Sequence, residues 1–295
     1  MTLREDLEVA IGGVQLRAIE LSVGAVARVR ATRTPDGALA YLHRKGSRGL
    51  PLVGIHGFGG DKETWLLVSA LVDRRRPLAL VDLPGHGRSA EVPEAGASIR
   101  AHAEAVLRVL DHAGIDRAIV AGNSMGGGVA LRLARSWPSR VAALVLVDSV
   151  GRDVHDGAAQ AWAAGDNPLI PRPEDIDRFM KLALERPPPV GRAVIRHVVV
   201  QRARRADQLH ALFRAFISNG GDAGVPRDLG GIDIPTLVLH GEQDRIISKR
   251  VAEDLTQALP RAELVILRGV GHAPQLEAPR QTARLIEGLA ARLPR

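Results

Sequence analysis

Short, mostly apolar runs recur along the chain at Leu50–Ile55, Leu78–Val81, Ala118–Ala121, Val141–Val147, Thr236–His240 and Glu263–Leu267, each followed by a polar or glycine-bearing loop. Between them lie stretches with helical spacing of apolar positions, at Thr64–Val72, Ser98–Ala113, Gly127–Ser136, Lys249–Leu259 and Pro279 to about Leu293. Strands apolar on both sides, alternating with amphipathic helices, predict a parallel sheet covered by helices on both faces. A β-hairpin is expected ahead of it over Val23–Arg44, where two β-rich stretches flank Pro35-Asp36-Gly37.

The alternation stops after Asp148. From Gly151 to Gly231 there is no buried-strand run, and Pro168, Pro171, Pro173 and Pro187–Pro189 break the segment into helical pieces and loops. The organisation read from this is a core at 1–150, an inserted helical cap at 151–231, and the rest of the core at 232–295.

Composition narrows the chemistry. With 45% hydrophobic and 25% charged residues the 295-residue chain is an ordinary globular protein. No apolar run approaches the length of a membrane span, and the acidic start lacks a signal-peptide pattern, so no membrane span and a cytoplasmic location are expected. The absence of cysteine leaves oxygen nucleophiles. The net charge of +7 comes from scattered arginines with no groove-reading or base-stacking motif beside them, so no nucleic-acid partner is expected.

Gly122-Asn123-Ser124-Met125-Gly126 falls between a predicted strand and a predicted helix, the setting of a nucleophile elbow. Small residues on either side allow the sharp turn, and the following helix aims its positive end at the serine. A serine hydroxyl needs a histidine to take its proton and a carboxylate to orient that histidine. His272, in a loop after the last strand, supplies the base; Asp244, after strand Thr236–His240, supplies the acid, with Asp148 held in reserve. The loop His56–Gly60 follows the strand ending at Ile55, where a second oxyanion donor is needed. The donors are therefore assigned to the Phe58 and Met125 amides, and His56 to bracing the loop.

Taken together, His56–Gly60, Asp82–Ser89, Gly122–Gly127, Asp244 and Gly271-His272 resemble the α/β-hydrolase superfamily from about Ala38 onward. The resemblance implies an α/β fold with a mostly parallel eight-stranded sheet, flanking helices and an inserted cap. Within the superfamily, His56–Lys62 and Asn167–Pro171 are similar to bacterial lipases and esterases related to monoacylglycerol lipases. Members of that group often carry a membrane anchor before the core; a soluble esterase is expected here.

The implied activity is cleavage of a carboxylic ester through an acyl-enzyme, with no metal or organic cofactor and a small-molecule substrate bearing an apolar acyl group. Asn123 also resembles the carbon-carbon bond hydrolases of aromatic meta-cleavage products, although Ala273-Pro274-Gln275 stands where those enzymes usually place a tryptophan after the histidine. Acyl transfer on the same triad is a further alternative. Haloalkane dehalogenases and epoxide hydrolases are excluded, since they need an aspartate in place of Ser124. In the cap, Trp162, Phe179, Phe213 and Phe216 are candidates for the acyl pocket.

Overall fold

The computed structural model describes residues 3–91, 97–151, 167–186, 191–218 and 225–294. The chain opens with helix α1 (Leu3–Ala27), then strands β1 (Arg30–Arg33), β2 (Ala40–Arg44) and β3 (Leu52–Ile55), helix α2 (Leu66–Leu71) and strand β4 (Leu78–Val81). Helix α3 (Ile99–Ala113), β5 (Ala118–Asn123), α4 (Met125–Ser136) and β6 (Val141–Val147) follow. Helices α5 (Ile176–Ala183), α6 (Arg192–Arg204) and α7 (Ala206–Ser218) lie between β6 and β7 (Thr236–Gly241). The chain ends with α8 (Lys249–Ala258), β8 (Ala262–Leu267), α9 (Pro274–Glu277) and α10 (Pro279–Ala291).

All eight strands form one sheet in the order β1-β2-β4-β3-β5-β6-β7-β8. Strand β2 runs antiparallel to both β1 and β4, and every pairing from β4 to β8 is parallel. Parallel neighbours require crossovers, which is why each apolar run in the sequence is separated from the next by a helix. Alternate residues of each strand enter opposite cores. Val53, Ile55, Ala79 and Val81 pack with α3 and α4, while Leu52, Leu78 and Leu80 pack with α2 and α10. Strands β3 to β7 are therefore buried on both faces, and polar side chains from them collect at the strand ends, where the loops open.

The predicted hairpin begins later than expected. Val23–Ala27 completes α1, and the antiparallel pair starts at Arg30, with Arg30 opposite His43. Gly37, at φ 68°, supplies the turn.

Helix α1 also departs from the sequence reading. Among the described residues one helix, Glu5–Ala27, is long and apolar enough to cross a membrane, with a mean hydropathy of 1.4. The charged residues Glu5, Asp6, Glu8, Arg17 and Glu20 interrupt it along the chain, so it contains no long unbroken apolar run. Wound into a helix, Leu7, Ile11, Val14 and Leu21 fall on one stripe, and that stripe faces outward with exposures of 60%, 44%, 72% and 58%. The inward side carries Glu5 and Glu8, both paired with Arg196 of α6, and Gly12. The α6 backbone passes so close to Gly12 that a Cβ there would lie 1.9 Å from the Ala193 carbonyl oxygen. His197 Nδ1 and the Val9 carbonyl oxygen, 2.9 Å apart, complete the contact.

Arg44, buried at the end of β2, joins α1, α2 and the loop before β4. Its Nη1 donates to the carbonyls of Ala27 and Ser69, its Nη2 to that of Asp73 and its Nε to that of Arg76. Burial pulls this guanidinium down to about 10, still charged at neutral pH. Replacing it with leucine takes the guanidinium from the carbonyl oxygens of Ala27, Ser69 and Arg76, while that of Asp73 keeps the Arg76 amide, so Arg44→Leu is expected to lower unfolding stability by roughly 2–4 kcal/mol. Urea unfolding followed by circular dichroism measures this.

Candidate active site

Ser124 after β5, Asp148 after β6, Asp244 after β7 and His272 after β8 all follow the carboxyl ends of neighbouring parallel strands, and the side chains of the last three come together there. Ser124 is held at φ 54° and ψ −120°, a region costly for any residue with a Cβ. Its amide donates to the Val147 carbonyl at 2.9 Å, and its own carbonyl accepts from Gly127 at 2.9 Å and Val150 at 3.2 Å. The turn is tight enough that a Cβ on Gly122 would lie 2.1 Å from the Gly126 carbonyl oxygen, and one on Gly126 would lie 2.5 Å from that of Ile55. Both positions therefore require glycine for space.

Met125 is the first residue of α4, so its amide has no intrahelical partner. The His56–Gly60 loop runs directly against the serine: a Cβ on Gly57 would come within 3.1 Å of the Ser124 Cβ. The Phe58 ring meets Phe213 of α7 edge to face at 5.1 Å, and Phe213 in turn lies 6.2 Å from Phe216.

The loop is braced from below. Leu83 donates its amide to His56 Nε2 at 3.0 Å, which leaves Nδ1 as the protonated nitrogen that donates to the Gly57 carbonyl at 2.7 Å. Burial holds His56 below the usual histidine range, consistent with that neutral tautomer. Lys62 and Asp82, both buried, form an ion pair at 2.7 Å, and Asp82 also accepts the amides of Lys62 and Arg88, each at 2.8 Å. Asp82–Ser89, legible in the sequence only as a family marker, is thus the anchor of the loop beside the serine. From the other side Arg202 of α6 reaches to within 3.3 Å of the Cβ position of Gly59, donates to the Leu169 carbonyl and covers the Phe179 ring at 4.9 Å.

Asp244 Oδ2 accepts from His272 Nδ1 at 2.7 Å, and Asp244 Oδ1 accepts the amides of Ile246 and Ile247 at 2.7 and 3.1 Å. Burial works against the Asp244 charge, but His272 and the two amides outweigh it and hold the carboxyl below its ordinary value. Asp148 Oδ1 accepts the Gly241 amide instead. The oxygens of both aspartates and a His272 nitrogen lie within 4.8 Å of one another, a spacing that could hold a metal ion. The short His272–Asp244 bond and the two amides already fill Asp244, so a hydrogen-bonded chain describes the cluster better.

Two positioning residues escaped the sequence reading. Asn123 donates from Nδ2 to the carbonyls of Val147 and His272, each at 3.1 Å, and so ties the histidine loop to the serine turn. Glu277 accepts the amides of Gly271 and Ala273 on either side of His272, and with Oε2 also those of Glu185 and Arg186 from the end of the α5 segment. A glutamate five residues after the candidate base gave the only signal, and nothing local distinguishes it from a surface helix residue.

Of the aromatic candidates between β6 and β7, Trp162 lies outside the described residues. Phe213 reaches the Phe58 loop, and Phe216 packs against the main core. Phe179 is buried with Ile176 and Val199 and lines a cavity of about 270 Å³ formed by residues of the insertion, Ser124 and His272 not among them. Its place beneath Arg202 is explained by packing within the insertion.

Removing the Glu277 carboxylate leaves four amides without their acceptor. Glu277→Ala is expected to cost roughly 2–4 kcal/mol of stability, measurable by urea unfolding. It should also broaden the His272 ring resonances in NMR spectra.

The alpha/beta hydrolase family matches residues 52–285. The acetyltransferase component of the acetoin cleaving system of Pseudomonas putida, described as acting on a dihydrolipoyllysine residue, is 35% identical over 82% of this chain; the chain spans 64% of that relative's length. Lipase 1 of Psychrobacter immobilis is 28% identical over 83% of this chain and 78% of its own. A 2-hydroxymuconate semialdehyde hydrolase of Pseudomonas putida is 32% identical over 86% of this chain and 92% of its own. Among solved structures, a membrane phospholipase A superposes with a TM-score of 0.85 at 27% identity, covering 95% of this chain and 91% of that one. The eight-stranded sheet, the strained serine turn and a family match across most of the length agree: this chain belongs to the alpha/beta hydrolase family.

Proposed function

We propose that the protein hydrolyses a carboxylic ester through an acyl-enzyme on Ser124. The observation that carries this reading is a serine held at positive φ at the head of α4, with a histidine locked to a buried carboxylate at 2.7 Å along the same sheet edge. His272 Nδ1–H donates to Asp244, so Nε2 is the nitrogen free to take the Ser124 proton. Attack on the ester carbonyl then places negative charge on its oxygen, met by the amides of Met125 and Phe58. Protonated His272 delivers its proton to the departing alcohol, and water repeats the sequence on the acyl-enzyme to release the acid.

The helices at 151–231 act in this reading as a cap whose aromatic side, Phe213 against Phe58, offers an apolar wall to the acyl group. The lipase and phospholipase relatives support an ester of that kind. Carbon-carbon cleavage is the second reading, favoured by Asn123 and by the 2-hydroxymuconate semialdehyde hydrolase. The acetyltransferase relative keeps acyl transfer in view. Each needs the same serine and histidine, so substrate tests separate them.

The compartment belongs to the same proposal. The cytoplasmic expectation rested on the chain lacking an apolar span. The outward stripe of α1 favours attachment of the hydrolase to a lipid surface, since an exposed apolar helix face of this extent gains by leaving water.

A p-nitrophenyl ester series from acetate to palmitate should show activity peaking at one chain length and falling by roughly 10⁴-fold or more in Ser124→Ala. Serine-dependent turnover of a vinylogous diketone acid without ester turnover would move the assignment to carbon-carbon cleavage. In a vesicle flotation assay the full chain is expected to float with lipid. The triple variant Leu7→Gln, Val14→Gln, Leu21→Gln should stay at the bottom while keeping its activity on a soluble ester; equal behaviour of the two would refute the lipid attachment.

A further inference from the structure

Asp148 has the geometry of a group that the ester mechanism leaves unused. It is completely buried, sits at φ 43° directly after β6, and places one oxygen on the Gly241 amide at 2.9 Å. Its other oxygen, Oδ2, is buried with no hydrogen-bond partner. A carboxylate oxygen in that position would lack any donor, at a cost rarely tolerated in a folded interior.

The neighbours explain the vacancy. The Asp244 carboxyl lies against that of Asp148, and the two interact side chain to side chain. Two adjacent buried carboxyls do not both ionise, and the proton goes to the one with fewer donors. Asp244 has three, namely His272 Nδ1–H and the Ile246 and Ile247 amides, whereas Asp148 has the Gly241 amide alone. The other groups facing the pair lean the same way. Glu277, beyond His272 on α9, adds negative charge. His240 on β7 has its Nδ1 3.1 Å from Asp148 Oδ1 but is kept below the usual histidine range by burial, with Glu253 of α8 as its own acidic neighbour. Burial first, and then the Asp244 charge, push the Asp148 carboxyl well above its ordinary value.

We propose that Asp148 is a positioning residue that donates a hydrogen bond from a neutral carboxyl to the Asp244 carboxylate, extending the catalytic chain to Asp148–Asp244–His272. The inference rests on Asp244 and His272 forming the triad of the proposed function. The donated bond fixes the Asp244 rotamer so that one oxygen stays on His272, and it keeps a second full negative charge away from the imidazole. Proton transfer at Ser124 still ends on His272; the Asp148 proton does not move during turnover.

The test uses the full chain and readouts independent of substrate. In infrared spectra at about pH 8, where Asp61 and Glu63, raised to about 6 and about 7, are mostly ionised, the wild type should keep a carboxylic-acid carbonyl band. Asp148→Asn should lose it. The sign of the stability effect follows from linkage. The folded chain retains a proton that the unfolded chain releases above 3.8, so Asp148 makes stability fall as pH rises from there toward its raised folded value. That fall should flatten in Asp148→Asn.

Asparagine can still donate to Asp244 and accept from Gly241, so kcat/KM in Asp148→Asn should stay within about threefold of wild type. Asp148→Ala should lose about tenfold or more, mainly in kcat. A wild type with no acid band at that pH overturns the proposal, even if the variants do not fold. So does an Asp148→Asn protein with an unchanged pH slope or a large loss of activity. Neither result touches the triad, which stands or falls with Ser124→Ala.

Discussion

The turn from β5 into α4 holds Ser124 at a backbone conformation that costs on the order of 1–3 kcal/mol, and the surrounding fold must supply that energy. It does so by enclosing the turn on every side. The Val147 carbonyl holds the serine amide, Gly127 and Val150 hold its carbonyl, and the close approaches at Gly122 and Gly126 leave no room for the turn to relax. The strain places the serine at the sheet edge and the head of a helix, where the dipole and the Met125 amide favour negative charge.

Around that turn the fold gathers charge and spaces it. Asp244 is satisfied by His272 and two amides, so its ionised form survives burial, while Asp148 a few ångströms away has one amide and an open oxygen. The same contrast appears beneath the loop beside the serine. There Asp82 is ringed by Lys62 and two amides, while Asp61 is pushed up by burial and the neighbouring Asp82, and Glu63 by burial and the neighbouring Asp61. At the Asp148–Asp244 pair the number of donors decides which carboxyl stays charged.

The insertion joins this arrangement at a few defined contacts. Arg202 reaches Gly59, Phe213 meets Phe58, and the Glu185 and Arg186 amides share Glu277 with the histidine loop. A shift of these helices would therefore be felt at the oxyanion loop and at His272 together. Helix α1, packed on α6 through Arg196, His197 and the Gly12 approach, connects its outward apolar stripe to the same helices.

Strand positions from β3 to β7 were legible because a strand buried on both faces must be largely apolar, and β6 was read residue for residue as Val141–Val147. The serine turn was legible because its steric demand falls on residues adjacent in sequence, Gly122 and Gly126. Helix α1 was not: its charges interrupt the apolar residues along the chain, and only the helical turn sorts Leu7, Ile11, Val14 and Leu21 onto one face. Nor were Asn123, Glu277 and Lys62 as braces, because each acts on backbone or charge brought close by the fold. The sequence by itself determined the order of strands and helices from β3 to β6 and from β7 onward and the residue types offered for the chemistry, since those depend on local periodicity and residue type. Which carboxylate holds His272, which is left with an empty oxygen, and which face of α1 meets solvent were decided only by tertiary structure, because each depends on how many donors or apolar neighbours distant segments bring to one point.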